Sequence, residues 1–181
     1  MIIFDQYFSN GAEKVPTLLK LAKKSGIKML RVWGGGVYQT DEFYREAAKN
    51  GITIWQDFMF ACATYTNHQS FLDSVTNEVR TQLWRLAGHP AIVIFAGNNE
   101  NEAALATNWY DTNPKKDFYF SQYKNLYIDT IRKEYLQFNV SLPFLASSPT
   151  NGIGTRVNLK FLIFKIKSDN PQKSAKLHHT G

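Results

Sequence analysis

An apolar run at residues 91–96 (Ala-Ile-Val-Ile-Phe-Ala) constrains the fold of this chain more than any other feature. It is rich in β-branched side chains and stops abruptly at the polar residues 97–100 (Gly-Asn-Asn-Glu). A continuous apolar run of this length is typical of a strand buried on both faces, as in a parallel sheet. In α/β barrels the functional residues follow the carboxyl ends of such strands. We therefore expect Asn99 and Glu100 at that edge of a sheet.

The rest of the chain alternates between helix and strand patterns. Helices are predicted over residues 15–25, 41–50, 71–87 and 118–136, and strands over 27–33, 52–57, 91–96 and 142–146. Strands separated by helices of this length form βαβ units with right-handed crossovers and a parallel sheet. The predicted fold class is therefore α/β, with the strand ends bringing Trp33, Asp57, Glu100 and Ser147 to one face.

Composition and charge exclude several classes of function. The formal net charge is +6, but residues 153–181 hold six Lys or Arg against one Asp, so the preceding part is nearly neutral. We therefore expect no nucleic-acid binding, and no apolar run is long enough to predict a membrane span. The N-terminal residues do not have the pattern of a signal peptide. The one cysteine, Cys62, is expected to be a small buried residue beside a strand.

The pair Asn99-Glu100 indicates sugar chemistry. A carboxylic acid can donate a proton while the neighbouring carboxamide binds a substrate hydroxyl. Glu102 is the rival carboxylate, and we expect it to be a first-turn acid of the following helix or an ion-pair partner. No spacing of His, Cys, Asp and Glu predicts a metal site, and Gly34–Gly36 lack the spacing of a dinucleotide motif. No cofactor is predicted.

Three motifs occur in order with predicted helices between them: residues 31–38 (RVWGGGVY), 55–62 (WQDFMFAC) and 97–102 (GNNENE). On these motifs the chain resembles the catalytic barrel of β-mannosidases in glycoside hydrolase family 2, over roughly residues 9–152. It looks most similar to the animal lysosomal members. The resemblance implies a partial (β/α)8 barrel, about strands 2–5, over residues 1–152. It also implies hydrolysis of terminal β-D-mannose from oligosaccharides and glycoproteins, in the lysosome.

The resemblance also implies how the site residues act. The family uses a retaining mechanism with two carboxylates. Glu100 would be the acid/base, which protonates the leaving oxygen and then deprotonates the attacking water. Asn99 would bind the sugar 2-hydroxyl, which is axial in a mannoside.

Four further residues have both a functional and a structural interpretation. By resemblance, Trp33 would line the sugar subsite, Asp57 would hydrogen-bond a sugar hydroxyl, Trp109 would add a wall, and Arg31 would orient the nucleophile. Alternatively, the two tryptophans belong to the core and Asp57 caps the following segment. Arg31 would be a buried ion-pair member under either interpretation.

The sequence departs from the family pattern in its last part. The family nucleophile is a glutamate near the end of the seventh strand, but no Glu follows Glu134, and residues 153–181 read as an unrelated, irregular basic tail. We therefore expect this chain to lack the nucleophile strand and to be inactive alone. The alternatives are a non-catalytic carbohydrate-binding protein, a truncated product without function, and a basic arm for nucleic acid or a membrane surface. The sequence does not indicate which proteins, if any, the chain binds.

Overall fold

Helices and strands alternate along the chain in a computed structural model, which describes residues 11–150. The predicted basic tail, residues 153–181, lies outside the described residues. The first half contains α1 (Gly11–Lys24), β1 (Met29–Val32), α2 (Asp41–Lys49), β2 (Thr53–Asp57), α3 (Gln69–Leu86) and β3 (Ile92–Ala96). The second half contains α4 (Asn101–Ala106), a 3-10 turn (Asn113–Lys115), α5 (Lys116–Tyr123), a π-helical stretch (Lys124–Arg132), α6 (Lys133–Gln137) and β4 (Phe144–Leu145).

The four strands form one parallel sheet in the order β1-β2-β3-β4. Arg31 lies beside Trp55, Trp55 beside Ile94, and Ala96 beside Leu145. The predicted α/β class, the four strands and their parallel pairing are therefore confirmed. The strands are shorter than predicted, and the last one has only two residues, because the pairing with β3 covers only Phe144 and Leu145.

Local signals in the sequence set the helix ends. The Thr40 side chain accepts a hydrogen bond from the Phe43 N–H at the start of α2, as Thr does at an N-cap. Gly26 and Gly51 follow α1 and α2 with φ of +78° and +67°, a region that glycine enters at little cost. The predicted helix over residues 118–136 is found as α5, the π-helical stretch and α6.

Helices cover one face of the sheet, and the other face is more open. Tyr44 of α2 donates to Gln56 of β2 at 2.5 Å, and Phe95 of β3 packs against Tyr135 of α6. On the opposite face, Met29 remains 48% exposed. The buried core between sheet and helices includes Leu19, Val32, Phe43, Ile52, Ile54, Phe58, Val79, Leu83, Leu126 and Ile131. No helix within residues 11–150 is long and apolar enough to cross a membrane.

Candidate functional site

The loop between β3 and α4 is held between the loops that follow β2 and β4. The Asn99 N–H donates to the Phe60 carbonyl at 2.9 Å, and the Cys62 N–H donates to the Asn99 carbonyl at 3.1 Å. On the other side the Glu100 N–H donates to the Ser148 carbonyl at 3.0 Å. These bonds continue the parallel pairing beyond the ends of the strands. Glu100 itself is the N-cap residue of α4 and has a φ of +65°.

Asn98 is a fully buried residue that holds this loop, and the sequence interpretation did not single it out. Its Nδ2 donates to the Ala146 carbonyl at 2.9 Å. Its Oδ1 accepts from the Ser147 hydroxyl at 2.6 Å and from the Asn101 N–H at 3.1 Å. These bonds connect the end of β3 to the residues after β4 and to the start of α4, so Asn98 helps to fix the loop that carries the next two residues. The sequence feature that indicates this role is the pair Asn98-Asn99, which follows the buried strand β3 after one glycine.

Two glycines allow these strand ends to approach each other. A Cβ on Gly97 would lie 2.5 Å from the Ala146 carbonyl oxygen, and one on Gly34 would lie 2.5 Å from the Phe60 carbonyl oxygen. Real Cβ atoms do not approach a backbone oxygen so closely. The glycines therefore serve contacts between neighbouring segments of the protein's own backbone.

The Glu100 carboxylate lies in a three-way contact with Asn99 and Cys62. Asn99 Nδ2 is 3.2 Å from Glu100 Oε2, Cys62 Sγ is 3.3 Å from the same oxygen, and Asn99 Nδ2 is 3.3 Å from Cys62 Sγ. The prediction that Cys62 is buried is wrong, because this residue is exposed. It follows the bridge between Ala61 and Asn99 with a φ of +45°, and its side chain contacts Glu100 instead of the core.

Arg31 and Asp57 form an ion pair between β1 and β2. Arg31 Nη2 is 2.7 Å from Asp57 Oδ2, and its Nε is 3.0 Å from the same oxygen. Asp57 also accepts from the Gly34 N–H at 3.1 Å and from the Trp55 indole at 2.9 Å, and it is fully buried. Burial raises the pKa of the Asp57 carboxyl, and the Arg31 guanidinium opposes that rise. The predicted ion pair of Arg31 is therefore confirmed, although 30% of the Arg31 side chain is exposed.

The cap interpretation of Asp57 is not supported. Its carboxylate accepts from Arg31 in β1, from Gly34 just after β1 and from Trp55 in β2, and not from the segment that follows Asp57. The carboxylate has protein donors on both oxygens. Direct contact between Asp57 and a sugar stays a prediction.

An open groove of about 650 Å³ runs along the β1 side of the site. It brings together four of the predicted residues, Arg31, Trp33, Asn99 and Glu100, and it is also lined by Ile27, Met29 and Leu30. The Trp33 indole is partly exposed and lies against Gly35, where a Cβ would be only 2.1 Å from the ring. Neither Asp57 nor Trp109 lines the groove.

Trp109 lies after α4 and is 52% exposed, so it is not a core residue. Its neighbour Tyr110 interacts electrostatically with Glu100 and Cys62, which places this turn near the acid. Whether Trp109 contacts a sugar stays a prediction.

The rival carboxylate, Glu102, lies in the first turn of α4 as expected and is buried. It accepts hydrogen bonds from the Tyr123 hydroxyl at 3.1 Å and from the Thr150 hydroxyl at 3.4 Å. Burial and the Glu102 carboxylate raise the pKa of Tyr123. Glu102 is not among the groove residues, which leaves Glu100 as the carboxylate that lines the groove within residues 11–150.

The comparisons with known proteins agree on one group of enzymes. No family model matches the chain. It is 48% identical over 145 residues to a β-mannosidase of Rattus norvegicus and 38% identical over 143 residues to a probable β-mannosidase of Caenorhabditis elegans, covering 80% and 78% of the chain. In both cases the chain spans 16% of the relative's length.

Solved structures extend the same comparison. The fold matches a β-D-mannosidase from Dictyoglomus thermophilum with a TM-score of 0.65 and 34% identity, covering 78% of this chain and 17% of that one. A β-glucuronidase from Bacteroides uniformis matches with a TM-score of 0.54 and 17% identity, covering 68% of this chain and 15% of that one, a likeness in fold alone.

Proposed function

Since this chain is homologous to a segment of the β-mannosidases, we propose that its groove is the acid/base side of a retaining β-mannosidase site. The proposed substrates are oligosaccharides and glycoproteins with terminal β-D-mannose. One observation carries the proposal: Glu100 and Asn99 line one open groove with Trp33 and Arg31. The part of the groove lined by Trp33, Asn99 and Glu100 lies at the carboxyl ends of parallel strands, where α/β barrel enzymes have their functional residues. We assign the sheet to about strands 2–5 of a (β/α)8 barrel within residues 1–152.

Each groove residue has a chemical task in this proposal. Glu100 donates a proton to the leaving oxygen and later accepts one from the attacking water. Asn99 binds the 2-hydroxyl with its side-chain amide, a contact that strengthens in the transition state. Trp33 offers a flat apolar surface to the sugar ring. The tight approach of the three strand-end loops holds Asn99 and Glu100 in place before the substrate arrives.

A retaining mechanism also needs a second carboxylate about 5–5.5 Å from the first. Within residues 11–150 Glu100 is the only carboxylate that lines the groove. The nucleophile therefore has to come from outside the described residues. We propose that Arg31, fixed by Asp57 and 30% exposed, orients that nucleophile. The 181-residue polypeptide by itself is then expected to bind a mannoside without appreciable turnover.

Two further assignments rest on the likeness to the animal enzymes. We propose that the activity belongs in the lysosome. We propose that the partly exposed Trp109 and the neighbouring Tyr110 form a wall of the sugar subsite near Glu100.

A chimera tests the catalytic assignment. The part of this chain that matches the rat enzyme replaces the corresponding 145-residue segment of that enzyme, and the other segments of the rat enzyme supply the remaining parts of the site. The chimera is expected to hydrolyse aryl β-mannosides. Glu100→Gln should reduce kcat/KM for a substrate with a poor leaving group by about 10²–10⁴-fold, the usual contribution of a general acid. It should reduce kcat/KM for a dinitrophenyl β-mannoside much less, because that leaving group departs without protonation and kcat/KM reports the step in which it departs.

The matched control is Asp111→Asn, an acid after α4 that accepts a hydrogen bond from Asn108 and does not line the groove. It should leave both rates unchanged. Equal losses of kcat/KM for both leaving groups in Glu100→Gln would assign the residue a role other than proton donation.

A second candidate function is sugar binding without catalysis. The same groove favours this function. Among the described residues, the groove has the groups that bind a sugar, the Trp33 ring, the Asn99 amide and the Arg31 guanidinium, and it has a single carboxylate, whereas a retaining mechanism needs two. Turnover by the chimera that is lost in Glu100→Gln would exclude it.

A further inference from the structure

The thiol of Cys62 contacts the proposed acid from a different loop of the fold. Cys62 follows β2, whereas Asn99 and Glu100 follow β3, and the backbone bond from the Cys62 N–H to the Asn99 carbonyl fastens the two loops at this point. The Cys62 Sγ is 3.3 Å from both Glu100 Oε2 and Asn99 Nδ2. Cys62 is the single cysteine in the sequence.

The chemistry of the three groups determines the direction of each hydrogen bond. An ionised carboxylate only accepts, and a side-chain NH2 only donates. The Asn99 amide therefore donates to Glu100 Oε2 and to Cys62 Sγ, and the thiol hydrogen is left to donate to the carboxylate. Oε2 thus receives two donors in a closed triangle.

The surroundings keep the thiol in its donor form. Partial burial raises the pKa of the Cys62 thiol, the hydrogen bond and the charge of Glu100 raise it further, and the Asn99 amide opposes the rise. Among the described residues, Tyr110 also interacts electrostatically with both side chains, and Tyr65 interacts with Tyr110. A thiol of this kind is a poor nucleophile, because the thiolate is the reactive species.

We propose that Cys62 is a positioning residue for the proton donor: together with Asn99 it occupies Oε2 of Glu100 and leaves Oε1 to carry the transferred proton. This proposal rests on the proposed function, because it names which oxygen of the same acid reacts. Two donors at one oxygen disfavour a proton there, so the neutral carboxyl holds its hydrogen on the other oxygen. The acidic hydrogen then has a defined direction before the substrate binds.

Thiol alkylation tests the contact without any sugar. Since Cys62 is the single cysteine, mass spectrometry of the 181-residue chain treated with iodoacetamide reports this thiol alone. Glu100→Gln removes the negative charge beside Sγ, so the pKa of the thiol should fall and alkylation near pH 8 should become several-fold faster. Asp111→Asn should leave the alkylation profile unchanged. A Glu100→Gln profile that matches that control overturns the proposal.

The orientation of the acid needs a second measurement. In a chain labelled with ¹³C at glutamate side chains, the carboxyl signal of Glu100 is identified by its loss in Glu100→Gln. Cys62→Ala should move this signal towards those of solvent-exposed glutamates, and Cys62→Ser should restore it, because a hydroxyl can donate in place of the thiol. Both variants share the same strain at a φ of +45°, so the comparison isolates the donor. A signal in Cys62→Ala that coincides with wild type overturns the proposal.

These outcomes are separate from those for the proposed function. Neither measurement uses a sugar or turnover. A positive result here with no β-mannoside hydrolysis by the chimera would leave the contact established and reject the enzymatic assignment.

Discussion

Replacing Asp57 by alanine should destabilise the protein more than the loss of any exposed ion pair. Asp57 is fully buried and accepts from the Arg31 guanidinium, the Gly34 N–H and the Trp55 indole. Asp57→Ala removes the carboxylate oxygens that accept from all three of these donors. The Gly34 N–H is buried and has no access to water, so it loses its partner completely.

The size of the effect follows from the two partners' exposure. Removing one member of a buried ion pair costs about 3–5 kcal/mol. Arg31 keeps 30% of its side chain exposed and can be hydrated, which places the expected loss at the lower end, about 3 kcal/mol. For a chain of this size each kcal/mol lowers Tm by about 2–4 °C, so the expected decrease is about 6–12 °C.

Thermal unfolding followed by circular dichroism measures this decrease in the 181-residue chain. Asp57→Asn should fall between wild type and alanine, because its carbonyl oxygen keeps one acceptor and its amide carries no charge. The matched control is Asp129→Ala, which removes an exposed ion pair with Lys124 and should cost less than about 1 kcal/mol. If Asp57→Ala melts at the same temperature as Asp129→Ala, the argument from buried acceptors is refuted.

Two further predictions concern the packing and pH response of the strands. Gly97→Ala should lower the free energy of unfolding, measured in urea, by about 1–3 kcal/mol, because the new Cβ would lie 2.5 Å from the Ala146 carbonyl oxygen. The control Gly88→Ala, whose Cβ would have no atom within 4 Å, should cause no comparable loss. Burial lowers the pKa of His89 from its ordinary 6.5, and its Nδ1 accepts from the Ala91 N–H at 3.2 Å. The contribution of neutral His89 to the free energy of unfolding should therefore be complete above pH 6.5 and should be lost as the pH falls through the lower pKa of the folded protein. Urea titrations over this pH range should show the loss for wild type and not for His89→Gln.

The periodic parts of the fold were predictable from the sequence. Long apolar or amphipathic runs with glycine after them predicted the helices before β1 and β2, and residues 91–96 predicted the buried strand β3. The last strand was harder, because its two paired residues carry little periodic signal and its position depends on β3. The parallel pairing of the strands followed from the alternation of helices and strands.

The site was predictable only where a residue directly follows a strand. The positions of Asn99, Glu100 and Trp33 at the groove follow from that rule. The contact between Cys62 and Glu100 does not, because it depends on backbone bonds between loops that are 38 residues apart in the chain. A cysteine beside a strand is usually buried, so sequence alone predicted the wrong environment for Cys62.

Binding of a β-mannoside in the groove is the property on which the proposed function most directly depends. An NMR titration of the 181-residue chain with methyl β-D-mannoside should shift the indole signal of Trp33 and the side-chain amide signals of Asn99. Methyl β-D-glucoside, which differs in the orientation of the 2-hydroxyl, should bind more weakly and shift the Asn99 signals less. Trp33→Ala should remove the shift of the Asn99 signals. Unchanged Trp33 and Asn99 signals, or equal shifts with the two epimers, would contradict the assignment of this groove to β-mannosides.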